Sequence, residues 1–181
     1  YNKKILNNKY LKDNPLSDCF ENTKGILIEF NNKNDYSKFQ SKNLEFLYPL
    51  YKKIKKNYAN HFILNVLIIP PDEDEDEEEM SVEYHYDTTI GFNDDKDGYF
   101  DFDLVPECVS VLYIEQPSHM KGGRLRLFKY DKLIHIGSIE PKIGKMVEFN
   151  GKLFHGVEMF KDLKNLNNHR ISIVLEQYCI K

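Results

Sequence analysis

The sequence predicts a mainly β protein, a sandwich or jelly roll with helices confined to its N-terminal third. From residue 62 onward, about eight short apolar or alternating runs are separated by polar turns, the pattern of strands. Before residue 60, apolar residues recur at helical spacing instead. A chain of 181 residues, 41% hydrophobic with 12 Phe and 12 Tyr, is also long enough to bury a core without disulfide staples.

Taken in order, residues 25–30 form a short strand candidate and the polar stretch 31–35 a connector. Tyr36, Phe39, Leu44, Leu47, Leu50, Tyr51, Ile54 and Tyr58 then follow helical spacing, with Lys52, Lys53, Lys55 and Lys56 on the remaining positions. Pro49 is expected to kink or split that helix. The strand candidates of the β region are 62–69, 82–90, 108–115, 124–130, 134–139, 146–150, 154–159 and 171–178. The expected division is a mostly helical accessory region over 1–60 and a β core over 61–181, together one compact domain without internal repeats.

Two acidic segments interrupt the β region. Residues 72–79 are eight consecutive acids between Pro70-Pro71 and Met80, a self-repelling run that reads as a solvated loop. It leads into the strand at 82–90, so it is placed to hang over any pocket there and to favour a basic substrate. Residues 92–103 carry Asp94, Asp95, Asp97, Asp101 and Asp103 but lack the terminal bidentate Glu of a calcium loop. This segment also reads as solvated.

Charge and cysteines narrow the function classes. A net charge of -4 gives no general attraction to nucleic acid or to an anionic membrane, so proteins or small molecules are the expected partners. No apolar run approaches the roughly 18 residues of a membrane span, and the first residues lack a signal-peptide core. The chain begins at Tyr1 rather than Met, which leaves a longer parent open. Cys19, Cys108 and Cys179 are odd in number and without a CxxC pair, which suits a reducing compartment, cytoplasm or nucleus.

The residues that carry chemistry are His85-Tyr86-Asp87, His155 68 residues after Asp87, and Arg170-Ile171-Ser172. A period-two strand puts His85 and Asp87 on one face. Two histidines and one carboxylate with open coordination positions are the ligand set of a non-haem Fe(II) oxygenase. Arg170 adds a permanent cation, able to hold the far carboxylate of a dicarboxylate by a bidentate pair. Singly, each is ordinary: HxD is common, and a histidine in Leu153-Phe154-His155-Gly156-Val157 is more often a core or turn residue. Their order and strand context matter, because closing a jelly roll brings distant strands to one interior.

Beyond these residues, three stretches are distinctive: Val111-Leu112-Tyr113-Ile114-Glu115, Gly122-Gly123-Arg124-Leu125-Arg126-Leu127-Phe128, and residues 139–149, which open Ile139-Glu140-Pro141-Lys142. Over about residues 62–178 the chain resembles the 2-oxoglutarate and Fe(II)-dependent oxygenases, within them the prolyl-4-hydroxylase-like branch. The resemblance implies a double-stranded β-helix (jelly roll) core with N-terminal helices packed on it. It implies a dioxygenase that hydroxylates a protein side chain, with proline the leading candidate, and releases succinate and CO2. Fe(II), 2-oxoglutarate and O2 would be required, with ascorbate as reductant. His85, Asp87 and His155 would be the metal ligands. Arg170 and Tyr113 would hold the C5 carboxylate of 2-oxoglutarate, Ser172 would join them from the same strand face, and Leu125 would form an apolar wall.

The chain departs from that branch in two places. His155 and Arg170 are 15 apart where about ten is usual, the excess falling in the polar stretch 161–168. A surface loop can absorb that length, though it brings His169 and Lys164 into contention for the role given to Arg170. The 92–103 insertion borders the substrate entrance in the family, so substrate identity is the most exposed expectation. His61, His119 and His135 have no partner at ligand spacing and read as surface or structural. Competing classes are a non-catalytic metal-binding jelly-roll module and an oxygenase acting on a nucleic-acid base or small molecule. The absence of a basic aromatic groove disfavours the nucleic-acid base. A halogenase is disfavoured because Asp87 fills the position such enzymes leave for halide.

Overall fold

Three helices and twelve strands make up the computed structural model, which describes residues 2–13, 18–20, 23–71, 80–90, 105–129, 134–162 and 168–180. Helix α1 (Asn2–Leu6) and strands β1 (Lys12–Asp13) and β2 (Lys24–Asn31) come first. Helices α2 (Asp35–Ser41) and α3 (Tyr48–Ile54) follow. Then come β3 (His61–Ile69), β4 (Met80–His85), β5 (Cys108–Glu115), β6 (Met120–Gly122), β7 (Leu125–Lys129) and β8 (Ile134–Ile139). The chain closes with β9 (Met146–Phe149), β10 (Phe154–Glu158), β11 (Phe160–Asp162) and β12 (Arg170–Tyr178).

All pairings are antiparallel. A six-stranded sheet runs β1-β2-β3-β12-β5-β9, a four-stranded sheet β4-β10-β7-β8, and a short ribbon joins β11 to β6. This is the expected jelly roll.

Period-two alternation in the large sheet builds two cores. On β3, Phe62, Leu64, Val66 and Ile68 face the helices, where they meet Phe39, Leu47 and Tyr51; Leu67 and Ile69 face the other way. On β12, Ile171, Ile173 and Leu175 join the helix-side core. Val109, Val111 and Tyr113 of β5 meet Val82, Leu125 and Val157 between the sheets. Strands buried on both faces read as near-continuous apolar runs, which is why β3 and β12 stand out in the sequence.

The N-terminal sixty residues hold β2 as well as the helices, and β2 pairs with β3 from Lys24↔Ile68 to Asn31↔His61. The single helical run over 36–58 is divided: α2 ends at Ser41, a 3-10 turn covers Glu45–Leu47, and α3 starts at Tyr48. Pro49 sits in the first turn of α3, where its missing N–H is no loss. Tyr36 and Tyr58, at the two ends of the pattern, are exposed.

The strand expected over 82–90 is corrected: β4 stops at His85. Its partner β10 begins at Phe154, one residue before the His155↔His85 pair, so there is little strand left for residues 86–90 to pair with. The ribbon of β6 and β11 was not foreseen, and it takes up Lys161 and Asp162 from the expected loop. The acidic loop 72–79 and the Asp-rich insertion 92–103, with all five of its aspartates, lie outside the described residues.

Candidate metal centre

The site is built from the junction of β4 and β10. His85 and His155 are opposed in register, with ring centroids 4.5 Å apart. In each, Nδ1 bonds the carbonyl oxygen two residues back, at 2.7 Å to Glu83 and 2.9 Å to Leu153. A ring N–H bonded to a carbonyl fixes the tautomer and leaves Nε2 as the electron-pair donor. Both Nε2 atoms turn to one carboxylate: His85 Nε2 lies 3.5 Å from Asp87 Oδ1, and His155 Nε2 lies 3.4 Å from Asp87 Oδ2.

Asp87 reaches this point from the irregular segment after β4, not from a strand position. Its Oδ2 is buried without a hydrogen-bond partner. One potential ligand atom from each of the three residues falls within 4.8 Å of the others. Buried polar atoms are almost always paired, so an orphan carboxylate oxygen facing two imidazole lone pairs fits a cation better than an empty space.

Electrostatics follow from burial and proximity. Burial pushes His155 down to about 4, the main cause being loss of solvent around the imidazolium. Burial acts the same way on His85, but the adjacent Asp87 carboxylate, which favours the protonated ring, outweighs it and raises this group. Asp87 is held below its ordinary range, because the adjacent imidazoles overcome the opposing effect of burial.

These three residues line a cleft between the sheets, together with Leu125, Arg170 and Ser172. Arg170 opens β12 and is 1% exposed. Its Nη1 donates to the Gly123 carbonyl at 2.6 Å, its guanidinium lies 5.0 Å from the Tyr113 ring centre, and its Nε has no partner. No carboxylate pairs with it among the described residues. Burial lowers its affinity for a proton, but a guanidinium stays charged. Ser172 and Tyr113 face each other across β12 and β5, and both hydroxyls are buried and unpaired. Burial raises the Tyr113 hydroxyl despite the neighbouring Arg170.

The cation that lines the cleft is thus Arg170. His169 is half-buried and lines no part of the cleft, and Lys164 lies outside the described residues. His61 bonds Glu29 at 2.8 Å and His135 bonds Ser138 at 3.0 Å, both away from the site.

Among the cleft residues that the sequence did not point to, Phe20, Asn65 and Glu176 stand out. Phe20, from a 3-10 turn at Asp18–Phe20, meets the His85 ring edge-on at 4.9 Å. Asn65 and Glu176 are each 2% exposed and line the same cleft. Asn65 and Glu176 gave only a faint signal, polar residues in strand runs whose meaning depends on their burial. Phe20 carried none.

No protein-family model matches the sequence, and no curated protein does. Solved structures do match in shape. A full-length Neurospora crassa protein, in complex with alpha-KG and 5-formyluracil, superposes with a TM-score of 0.52 at 13% identity, covering 87% of this chain and 57% of that one. A Pseudomonas putida prolyl-4-hydroxylase gives 0.49 at 17% identity, covering 88% of this chain and 73% of that one. An oxidoreductase of the 2OG-Fe(II) oxygenase family from Burkholderia pseudomallei gives 0.49 at 10% identity, covering 88% and 67%. In fold, this chain is a jelly roll similar to that of the Neurospora crassa protein solved with alpha-KG.

Proposed function

We propose that the protein is a 2-oxoglutarate- and Fe(II)-dependent dioxygenase that hydroxylates a protein side chain, with a prolyl residue the leading target. One observation carries the reading. A buried guanidinium without a carboxylate partner shares a cleft with two tautomer-fixed histidines and an orphan carboxylate oxygen. A buried charge left unpaired is strongly destabilising, so Arg170 argues for an anion bound in the working state. A binding module has no need of both groups.

His85, Asp87 and His155 would hold the iron through Nε2, a carboxylate oxygen and Nε2. Arg170 would pair with the C5 carboxylate of 2-oxoglutarate, and the unpaired hydroxyls of Ser172 and Tyr113 would donate to the same group. Leu125, with Val82 and Val157, supplies an apolar wall that excludes water from the reacting atoms. The bound metal and co-substrate supply the oxygen-activating redox chemistry, coupling substrate hydroxylation to release of succinate and CO2. The residues position the reactants and hold the charges. Ascorbate is the proposed reductant for iron that loses its ferrous state.

The prolyl target rests on the Tyr113, Gly122-Gly123 and 139–149 sequence stretches. A nucleobase is the second reading, since the Neurospora crassa structure holds 5-formyluracil on a related fold. No helix among the described residues is long and apolar enough to cross a membrane, and the three cysteines are free. The proposed location is therefore a reducing one, cytoplasm or nucleus.

The test is anaerobic titration of the protein with Fe(II) and 2-oxoglutarate, followed by a peptide-library screen by mass spectrometry under air. A weak visible charge-transfer band and a gain of one oxygen on a peptide are expected. A folded protein that gives no band overturns the metal assignment.

A further inference from the structure

β12 carries a second polar group into the cleft, at the end opposite Arg170. Arg170, Ser172, Val174 and Glu176 share one strand face and all line the cleft. Glu176 lies six residue steps beyond Arg170, roughly 20 Å of extended chain. Glu176 Oε1 accepts a hydrogen bond from Thr89 Oγ1 at 2.9 Å, and Oε2 accepts one from the Tyr178 hydroxyl. Two hydroxyl donors hold the carboxyl as an acceptor. No lysine or arginine faces it among the described residues.

β3 places another acceptor beside it. Asn65 pairs in register with Val174, and Ile63 with Glu176, so Asn65 and Glu176 are diagonal neighbours on adjacent strands. Asn65 Oδ1 is buried, lines the cleft and has no hydrogen-bond partner. A carboxyl held by two hydroxyls and an orphan amide oxygen thus point into one cavity next to Asp87; the amide oxygen lacks a donor, and each carboxyl oxygen keeps a second lone pair that can accept an N–H.

Charge balance gives the same answer. If the site takes a dication and a dicarboxylate dianion, these together with Asp87 and Arg170 sum to neutrality. An ionised Glu176 then leaves one buried negative charge without a partner, an unfavourable state that a cation removes.

We propose that Asn65 and Glu176 form the substrate-reading station of the cleft, and that they take a cationic N–H group, the guanidinium or ammonium of a basic side chain, beside the metal centre. This rests on the reading of the site as a 2-oxoglutarate oxygenase. It also narrows that reading, since a basic residue must then sit at or next to the oxidised position.

Capped tripeptides with arginine, lysine, citrulline or norleucine between two glycines test it by calorimetric titration of the full chain, with and without Mn(II) and 2-oxoglutarate. The arginine and lysine peptides are expected to bind about thirtyfold or more tightly than the neutral ones, the loss that follows removal of one partner of a buried charge pair. Glu176→Gln keeps an acceptor for Thr89 but removes the charge, and is expected to erase the preference. Asn65→Leu is expected to weaken arginine and citrulline peptides alike. Equal binding of all four peptides, or a preference that survives Glu176→Gln, overturns the station. Failure to bind Mn(II) and 2-oxoglutarate with the cation preference intact overturns the oxygenase reading and supports the station.

Discussion

His85 and His155 are cross-strand partners whose rings are each tied at Nδ1 to a carbonyl two residues back, so that both Nε2 atoms face Asp87. The orientation comes from the strands themselves and needs no metal to form. Replacing either histidine by alanine should therefore leave the fold and remove the metal. We expect a loss beyond the roughly 10–100-fold attached to groups that only support ligands, read as disappearance of the Fe(II)/2-oxoglutarate visible band with the far-ultraviolet spectrum unchanged.

Arg170 makes an opposite pair of demands. Without a ligand it is a buried cation that has a carbonyl and an aromatic face but no counter-charge. Arg170→Met should then stabilise the ligand-free protein, on the order of 1–4 kcal/mol if it follows other apolar replacements of buried ionic groups. It should weaken 2-oxoglutarate binding by about 2–5 kcal/mol, the usual loss for one partner of a buried charge pair. Thermal unfolding with and without 2-oxoglutarate measures both, and an unchanged ligand-induced shift would move the anchor elsewhere.

What the sequence made legible and what it hid divide along physical lines. β5 and β8 match their expected limits, and β3, β7, β9, β10 and β12 fall within one residue at each end, because apolar content and alternation are local properties. The end of β4 was not legible, because it depends on where β10 starts, 69 residues after His85. The ribbon of β6 and β11 is three residues on each side, too short for a period to show. Within the site, His85, Asp87, His155 and Arg170 were visible as chemistry in a known order. Asn65 and Glu176 were not, because a lone polar residue in an apolar strand acquires meaning only when burial and its neighbours are known.

The Gly122-Gly123 pair has a backbone reason. Both have positive φ, 85° and 73°. A Cβ on Gly122 would lie 2.5 Å from the Met159 carbonyl oxygen, a backbone atom that cannot swing aside. On Gly123 it would meet the Met120 side chain at 2.9 Å and Arg170 Nη1 at 3.4 Å. Gly122→Ala should destabilise the fold by at least the roughly 1–3 kcal/mol of a strained backbone residue. Gly123→Ala should add a loss of 2-oxoglutarate affinity, because its carbonyl anchors the guanidinium. Denaturant unfolding and calorimetry separate the two, and a Gly123→Ala protein of full affinity would detach Arg170 from that anchor.

Glu176 gives the fold a pH dependence of definite sign. Its carboxyl is raised well above the ordinary value of 4.5, by burial first and by the Asp87 charge second. The folded protein therefore holds this proton more tightly than the unfolded chain does. The corresponding stability is complete below about pH 4.5, where both states are protonated, and is lost as pH rises toward the folded-state value. Glu176→Gln removes this proton linkage. The variant should gain on the wild type progressively as pH increases from 4.5 through neutrality, with the difference smallest at the acid end. Urea unfolding of the metal-free proteins at a series of pH values reads the trend. A difference that is flat with pH would mean that Glu176 is ionised in the folded state, as it would be if a cation already neutralised it.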